Sequence, residues 1–169
     1  MVLVGHSYSG VPVAEVAAAG EDVTHVVYVC AFAMPAGTSM LDALGGQPRE
    51  WWIFAEDGES IMPDYPGPLL YGECTPAMAN GAIARLRPHS ARSVREPLRG
   101  RIRGETRHVR DQRAGRDPPR RRGRRVAALV QATTISLHCH HPMLSRPAEL
   151  ALILAGIVAR TALAEPAAS

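Results

Sequence analysis

The stretch Gly5-His6-Ser7-Tyr8-Ser9-Gly10 constrains this chain more than any other. It follows the β-branched run Val2-Leu3-Val4 and precedes Val11 to Ala19, where Val13, Val16 and Ala17 recur at helical spacing before Gly20 supplies a stop. A strand that becomes a helix over so few residues must turn sharply, and side chains flanking the apex would collide. Gly5, Ser9 and Gly10 are small for that steric reason. In this context G-x-S-x-G has the form of a nucleophile elbow, which pushes Ser7 out at the head of the helix. There the backbone N–H of Tyr8 and the positive end of the helix dipole can stabilise a developing oxyanion. The plainer reading is a glycine turn with an incidental serine; a strand before it and a helix after it argue for the elbow.

The next segment, Thr24 to Phe32, is dense in β-branched and aromatic residues and apolar on both faces, as a central parallel strand is. Residues 1–34 therefore read as a βαβ unit. From 35 to 98 the texture changes to short helical patches broken by Gly and Pro, with Trp51-Trp52 and the Pro63-to-Pro68 turns, which predicts a small helical lid rather than sheet. Residues 99–125 lack hydrophobic periodicity and are expected to be irregular. In 126–169 a strand is expected within 126–137, then a histidine-rich loop, then an amphipathic helix over 147–164 with proline in its first turn. The fold class that follows is α/β, a parallel sheet flanked by helices. With 15 Gly and 14 Pro in 169 residues, a coiled coil or long-helix bundle is excluded.

The net charge of +3 conceals a segregation. All 19 basic residues are Arg, and 16 of them fall in residues 85–125 beside only four acids, a local balance of +12 that leaves −9 for the rest. An Arg block of this kind is either a solvated segment or an electrostatic nucleic-acid-binding one. It has no interleaved aromatics for base stacking, so charge alone supports the second reading, that of a non-catalytic fragment bound to nucleic acid. No apolar run reaches the ~18 residues of a membrane span, and the N-terminus has no basic lead into an apolar leader, so a cytoplasmic protein without membrane contact is expected. Cys30, Cys74 and Cys139, odd in number and unpatterned, fit reduced thiols.

A serine hydroxyl needs a base, and the base must come from a distant part of the chain. His138-Cys139-His140-His141 lies between the expected strand and the final helix, on the same sheet edge as Ser7. The other readings are a surface cluster or a metal site, but four consecutive residues do not easily converge on one ion. No metal and no cofactor are expected.

Together with the elbow, Val26-Val27-Tyr28-Val29-Cys30-Ala31-Phe32, Leu70-Tyr71-Gly72-Glu73-Cys74, Ala84-Arg85-Leu86-Arg87-Pro88 and His140-His141-Pro142-Met143-Leu144-Ser145-Arg146-Pro147 resemble the bacterial α/β-hydrolases akin to plant salicylate-binding methyl esterases and hydroxynitrile lyases. The resemblance covers most of residues 1–98 and 140–164. It implies a partial α/β-hydrolase fold and a Ser-His-Asp triad acting on a small-molecule ester, with Ser7 as nucleophile, His140 as general base and Tyr8 N–H as an oxyanion donor. It also implies strands and helices ahead of the elbow, among them a second oxyanion donor, so the chain is expected to be truncated at its N-terminus. The family's acid follows a strand that 100–125 do not display. Of the acids there, Glu105, Asp111 and Asp117, only the last two are aspartates, and Asp117 is the candidate substitute. Back-translated with permissible codons and read one base later, His108 to Pro118 yields a strand followed by Asp-Ala-Ile-Pro, so the Arg block is compatible with a frameshifted segment.

Overall fold

The computed structural model describes residues 1–20, 22–100, 105–111, 132–137 and 140–164. Strand β1 (Val2–His6) enters a single 3-10 turn at Ser7–Ser9 and then helix α1 (Gly10–Ala19), which Gly20 closes. Strand β2 (His25–Val29) follows. After the intervening region come β6 (Glu105–Asp111), β7 (Ala132–Leu137), a short α6 (Pro142–Ser145) and the long α7 (Pro147–Ala164). The four strands form one sheet in the order β1-β2-β6-β7, and every pair is parallel. All their C-terminal ends therefore lie on one edge, where an open α/β sheet builds its sites.

Why β2 is continuously apolar is visible in its packing. Val26 and Tyr28 face α1 with Ala17, Val13 and Leu3, whereas Val27 and Val29 face α7 with Leu150, Ile153, Leu154 and Ile157. Successive side chains of a strand point to opposite faces, so a strand covered on both sides must be apolar throughout. Residues 26–29 are no more than 1% exposed, and each such burial stabilises the fold by about 1.5–3 kcal/mol. In α7 the residues 150, 153, 154 and 157 recur at the i, i+3, i+4, i+7 spacing of one helical stripe.

Between β2 and β6 lie α2 (Met40–Ala43), β3 (Trp52–Phe54), β4 (Ser60–Pro63), α3 (Pro66–Leu70), α4 (Pro76–Ile83), β5 (His89–Ser90) and α5 (Ala91–Arg95). Here the structure corrects the expectation of a lid without sheet, because β3, β4 and β5 form a three-stranded antiparallel sheet. Strands of two to four residues are too short to display an alternating pattern. The hairpin was nevertheless signalled by Asp57-Gly58, where Gly58 takes φ +70° and its N–H donates to Ala55 O at 2.9 Å. The sheet's inner face joins Trp52 and Ile61 to Met34, Met40, Ala91, Val94 and Leu98. The two ends of the region are joined by Gly37 N–H to Leu98 O (2.7 Å) and Leu98 N–H to Thr38 O (3.0 Å). Its exit is held on α1, where the Glu15 carboxylate accepts the N–H groups of Arg99 (2.5 Å) and Gly100 (2.9 Å).

A second correction concerns the Arg block. Residues 105–111 were expected to be irregular and form β6, registered from His25↔Glu105 to Val29↔Val109 on one side and from Thr106↔Ala132 to Asp111↔Leu137 on the other. A ladder satisfies backbone groups whatever the side chains, and pairing along both edges outweighs the local pattern. Residues 112–131, with Asp117 and seven of the 16 Arg of the block, lie outside the described residues.

Candidate active site

The elbow is sterically closed as the sequence requires. A Cβ on Gly5 would come within 2.9 Å of Ser9 O, and one on Gly10 within 2.2 Å of Phe32 O. Neither distance is compatible with a side chain, so β1, the turn and the segment after β2 approach each other only through glycine. Ser7 itself adopts φ +52°. A non-glycine residue in the left-handed region is strained by about 1–3 kcal/mol and persists only where its surroundings dictate it. Ser7 O accepts the N–H of Phe32 at 3.0 Å and that of Gly10, pinning the turn on both sides. Tyr8 follows at the head of α1; its hydroxyl donates to Ser93 O at 3.3 Å and its ring meets His89 edge-on at 4.5 Å, which joins the turn to α5.

The loop after β7 brings two histidines to this turn. The Nε2–H of His6, the residue before Ser7, donates to His140 O at 2.8 Å. The His6 ring lies 5.2 Å from that of His140 and 4.7 Å from that of His141. His141 is in turn anchored at the end of α3, its Nδ1–H donating to Leu70 O at 2.7 Å while its ring packs tilted against Tyr71 at 4.6 Å. The histidine pair thus links the end of β1 to the residues that close α3. His138 and Cys139 lie outside the described residues.

Electrostatics keep this cluster neutral. Burial holds His140 down to about 3, helped by the neighbouring His141 and His6 rings. Burial also lowers His6, against the raising effect of its bond to His140 O, and lowers His141 against its bond to Leu70 O. A neutral imidazole has the lone pair a base needs, but one so depressed accepts a proton weakly; a carboxylate beside it would raise its basicity. Asp111 ends β6 on the same sheet edge, in register with Leu137, three residues before His140.

An open cavity of about 610 Å³ adjoins the cluster on the side of α4, lined by Tyr71, Met78, Ala82, Arg85, Leu86 and Leu144 among others. Ser7 is not in its wall. Tyr71, packed against His141, and Leu144, on α6, connect the two. Sequence reasoning named Ser7, Tyr8 and His140; the structure adds His6 and Tyr71 as side chains packed on the same histidine pair. His6 is inside the motif; only its adjacency to the serine marked it.

No family model matches the chain. Among curated proteins, the α/β-hydrolase nvfD of Aspergillus novofumigatus is 35% identical over 98 residues, 51% of this chain and 39% of that protein. The match thus spans about two fifths of its relative's length. Among solved structures, polyneuridine aldehyde esterase superposes with a TM-score of 0.71 at 18% identity, covering 94% of this chain and 71% of the other. The pyrethroid hydrolase PytH gives 0.72 at 17% identity, covering 95% and 71%. An extracellular α/β-hydrolase from a Paenibacillus species, described as sharing structural and functional homology with tobacco salicylic acid binding protein 2, gives 0.66 at 16% identity, covering 92% and 71%. The parallel sheet with its sharp strand-to-helix turn has the α/β-hydrolase fold of these solved structures. Among the described residues no helix is long and apolar enough to cross a membrane.

Proposed function

We propose that this chain, an α/β-hydrolase by fold, is a serine hydrolase that cleaves small carboxylic esters through an acyl-enzyme at Ser7. The observation that carries the reading is the strained Ser7 at the apex of β1 and α1, φ +52°, with His140 docked on the adjoining His6. Ser7 Oγ attacks the ester carbonyl while His140 takes its proton. The resulting oxyanion is met by the Tyr8 N–H at the helix head. Collapse expels the alcohol oxygen, which recovers the proton from His140; water, deprotonated by the same imidazole, then releases the acid and frees Ser7. A base held at about 3 requires a carboxylate partner to work near neutrality. Asp111 has the better claim to that role, because it terminates the strand beside the one that delivers His140. The apolar cavity bordered by Tyr71 and Leu144 is the place for the acyl or alcohol group.

The test is hydrolysis of p-nitrophenyl acetate together with labelling by a fluorophosphonate. Ser7→Ala is expected to lower turnover by more than about 1000-fold and to abolish labelling. Unchanged labelling of the variant would refute the assignment. Asp111→Asn and Asp117→Asn, made separately, identify the acid: loss of turnover only in the second would remove Asp111 from the role.

A further inference from the structure

The three imidazoles beside the elbow have a second chemical capacity. We infer that His6, His140 and His141 form a binding site for a divalent transition-metal ion, with Zn2+ as its ligand, at the sheet edge beside Ser7. One ring nitrogen from each residue lies within 4.8 Å of the others. Zinc–nitrogen bonds of about 2.0–2.1 Å place two ligands of a tetrahedral ion roughly 3.4 Å apart, so side-chain rotations of about an ångström close the set. Imidazole suits Zn2+, Cu2+ and Ni2+, whereas Mg2+ and Ca2+ prefer oxygen.

The hydrogen bonds show why the rings are prepared for this. A carbonyl only accepts, so the His6 Nε2–H donated to His140 O leaves Nδ1 with its lone pair. Likewise the His141 Nδ1–H donated to Leu70 O leaves Nε2 free to ligate. Backbone carbonyls that fix the tautomer and aim of a histidine are the usual outer partners of metal-ligating rings. Four consecutive residues of the loop do not converge on an ion; the fold supplies His6 from β1 and turns an adjacent pair into a triad of donors. Three nitrogens leave the fourth tetrahedral position for water.

The consequence for catalysis rests on the reading of His140 as the base. An ion bound to its nitrogen occupies the lone pair that must take the Ser7 proton, so Zn2+ inhibits ester cleavage. Binding itself does not depend on that reading.

The experiment is equilibrium dialysis of the full chain against ZnCl2, with Co2+ as a spectroscopic replacement whose visible bands report nitrogen coordination. One ion per chain is expected. His6→Ala and His141→Ala are expected to weaken binding by more than the roughly 10–100-fold that loss of an outer partner costs, and His89→Ala to leave it unchanged. His141→Asn keeps an N–H for Leu70 O while removing the ligating nitrogen; it separates loss of a ligand from a displaced loop, and the same weakening is expected. Absence of zinc binding by the unmodified chain, or equal affinity in His6→Ala and His141→Asn, would overturn the site. Ser7→Ala is expected to bind Zn2+ normally. If esterase activity fails to depend on Ser7 while zinc still binds, the hydrolase reading falls and the metal site stands; if Ser7-dependent turnover is found without zinc binding, the converse holds.

Discussion

The closest backbone approach in the elbow makes Gly10→Ala the most demanding perturbation. An alanine Cβ at this position would lie 2.2 Å from Phe32 O, against an ordinary contact of at least 3.4 Å, so the segment after β2 or the start of α1 must move by about 1.2 Å. The obstacle is backbone, and Phe32 is also the donor to Ser7 O, so displacement loads the bond that pins the turn. Overpacking of this kind costs about 1–3 kcal/mol, and a lost hydrogen bond about 0.5–1.5 kcal/mol more. A total of roughly 2–4 kcal/mol is expected, a 30- to 1000-fold change in the folding equilibrium. Turnover suffers separately, because a 1 Å misplacement of a reacting group costs about 100-fold. Urea unfolding followed by circular dichroism measures the first effect and p-nitrophenyl acetate hydrolysis the second. Gly81→Ala is the control: its Cβ would meet only the end of the Arg85 side chain at 3.3 Å, within α4. Replacing a helical glycine there is expected to stabilise by about 0.5–1 kcal/mol. If Gly10→Ala unfolds at the same urea concentration as the unmodified chain, the elbow is not closed as described and the steric argument fails.

Two further outcomes follow from the site's strain and its buried rings. Ser7→Gly and Ser7→Ala both remove the nucleophile, yet alanine keeps a Cβ in a left-handed residue, φ +52°, which costs about 1–2 kcal/mol. Glycine loses about 0.4–1 kcal/mol of that through its freer unfolded state, so Ser7→Gly is expected to be the more stable of the two in urea titrations, and the reverse order would disprove the strain. The histidine cluster sets a pH dependence: above about pH 6.5 folded and unfolded chains both hold neutral rings, while below it the unfolded chain takes up protons that buried His140, held down to about 3, refuses. Stability is therefore lost as pH falls below about 6.5, because burial keeps the folded His140 ring less basic than the unfolded one. His140→Gln should flatten the decline between pH 7 and pH 5, and an unfolding midpoint that is the same at both pH values in the unmodified chain would contradict the burial of the ring.

What the sequence determined by itself was local. The elbow was legible because a tight strand-to-helix turn needs Gly5 and Gly10 whatever surrounds it, β2 because burial on two faces demands an unbroken apolar run, and α7 because its stripe repeats every turn. His140 was singled out only through the family resemblance, since pattern alone leaves His138, His140 and His141 equivalent. The tertiary structure decided what pattern could not carry. β6 exists because β2 and β7 offer it two ladders, a backbone interaction to which the Arg-rich sequence is indifferent, and that strand is what carries Asp111 to the edge where the parallel strands end. The strands β3, β4 and β5 are too short to signal themselves and form by pairing with one another. His6 reads in sequence as a neighbour of the serine; only folding brings it to His140 and His141, 134 and 135 positions away, because parallel strands deliver their ends to one edge.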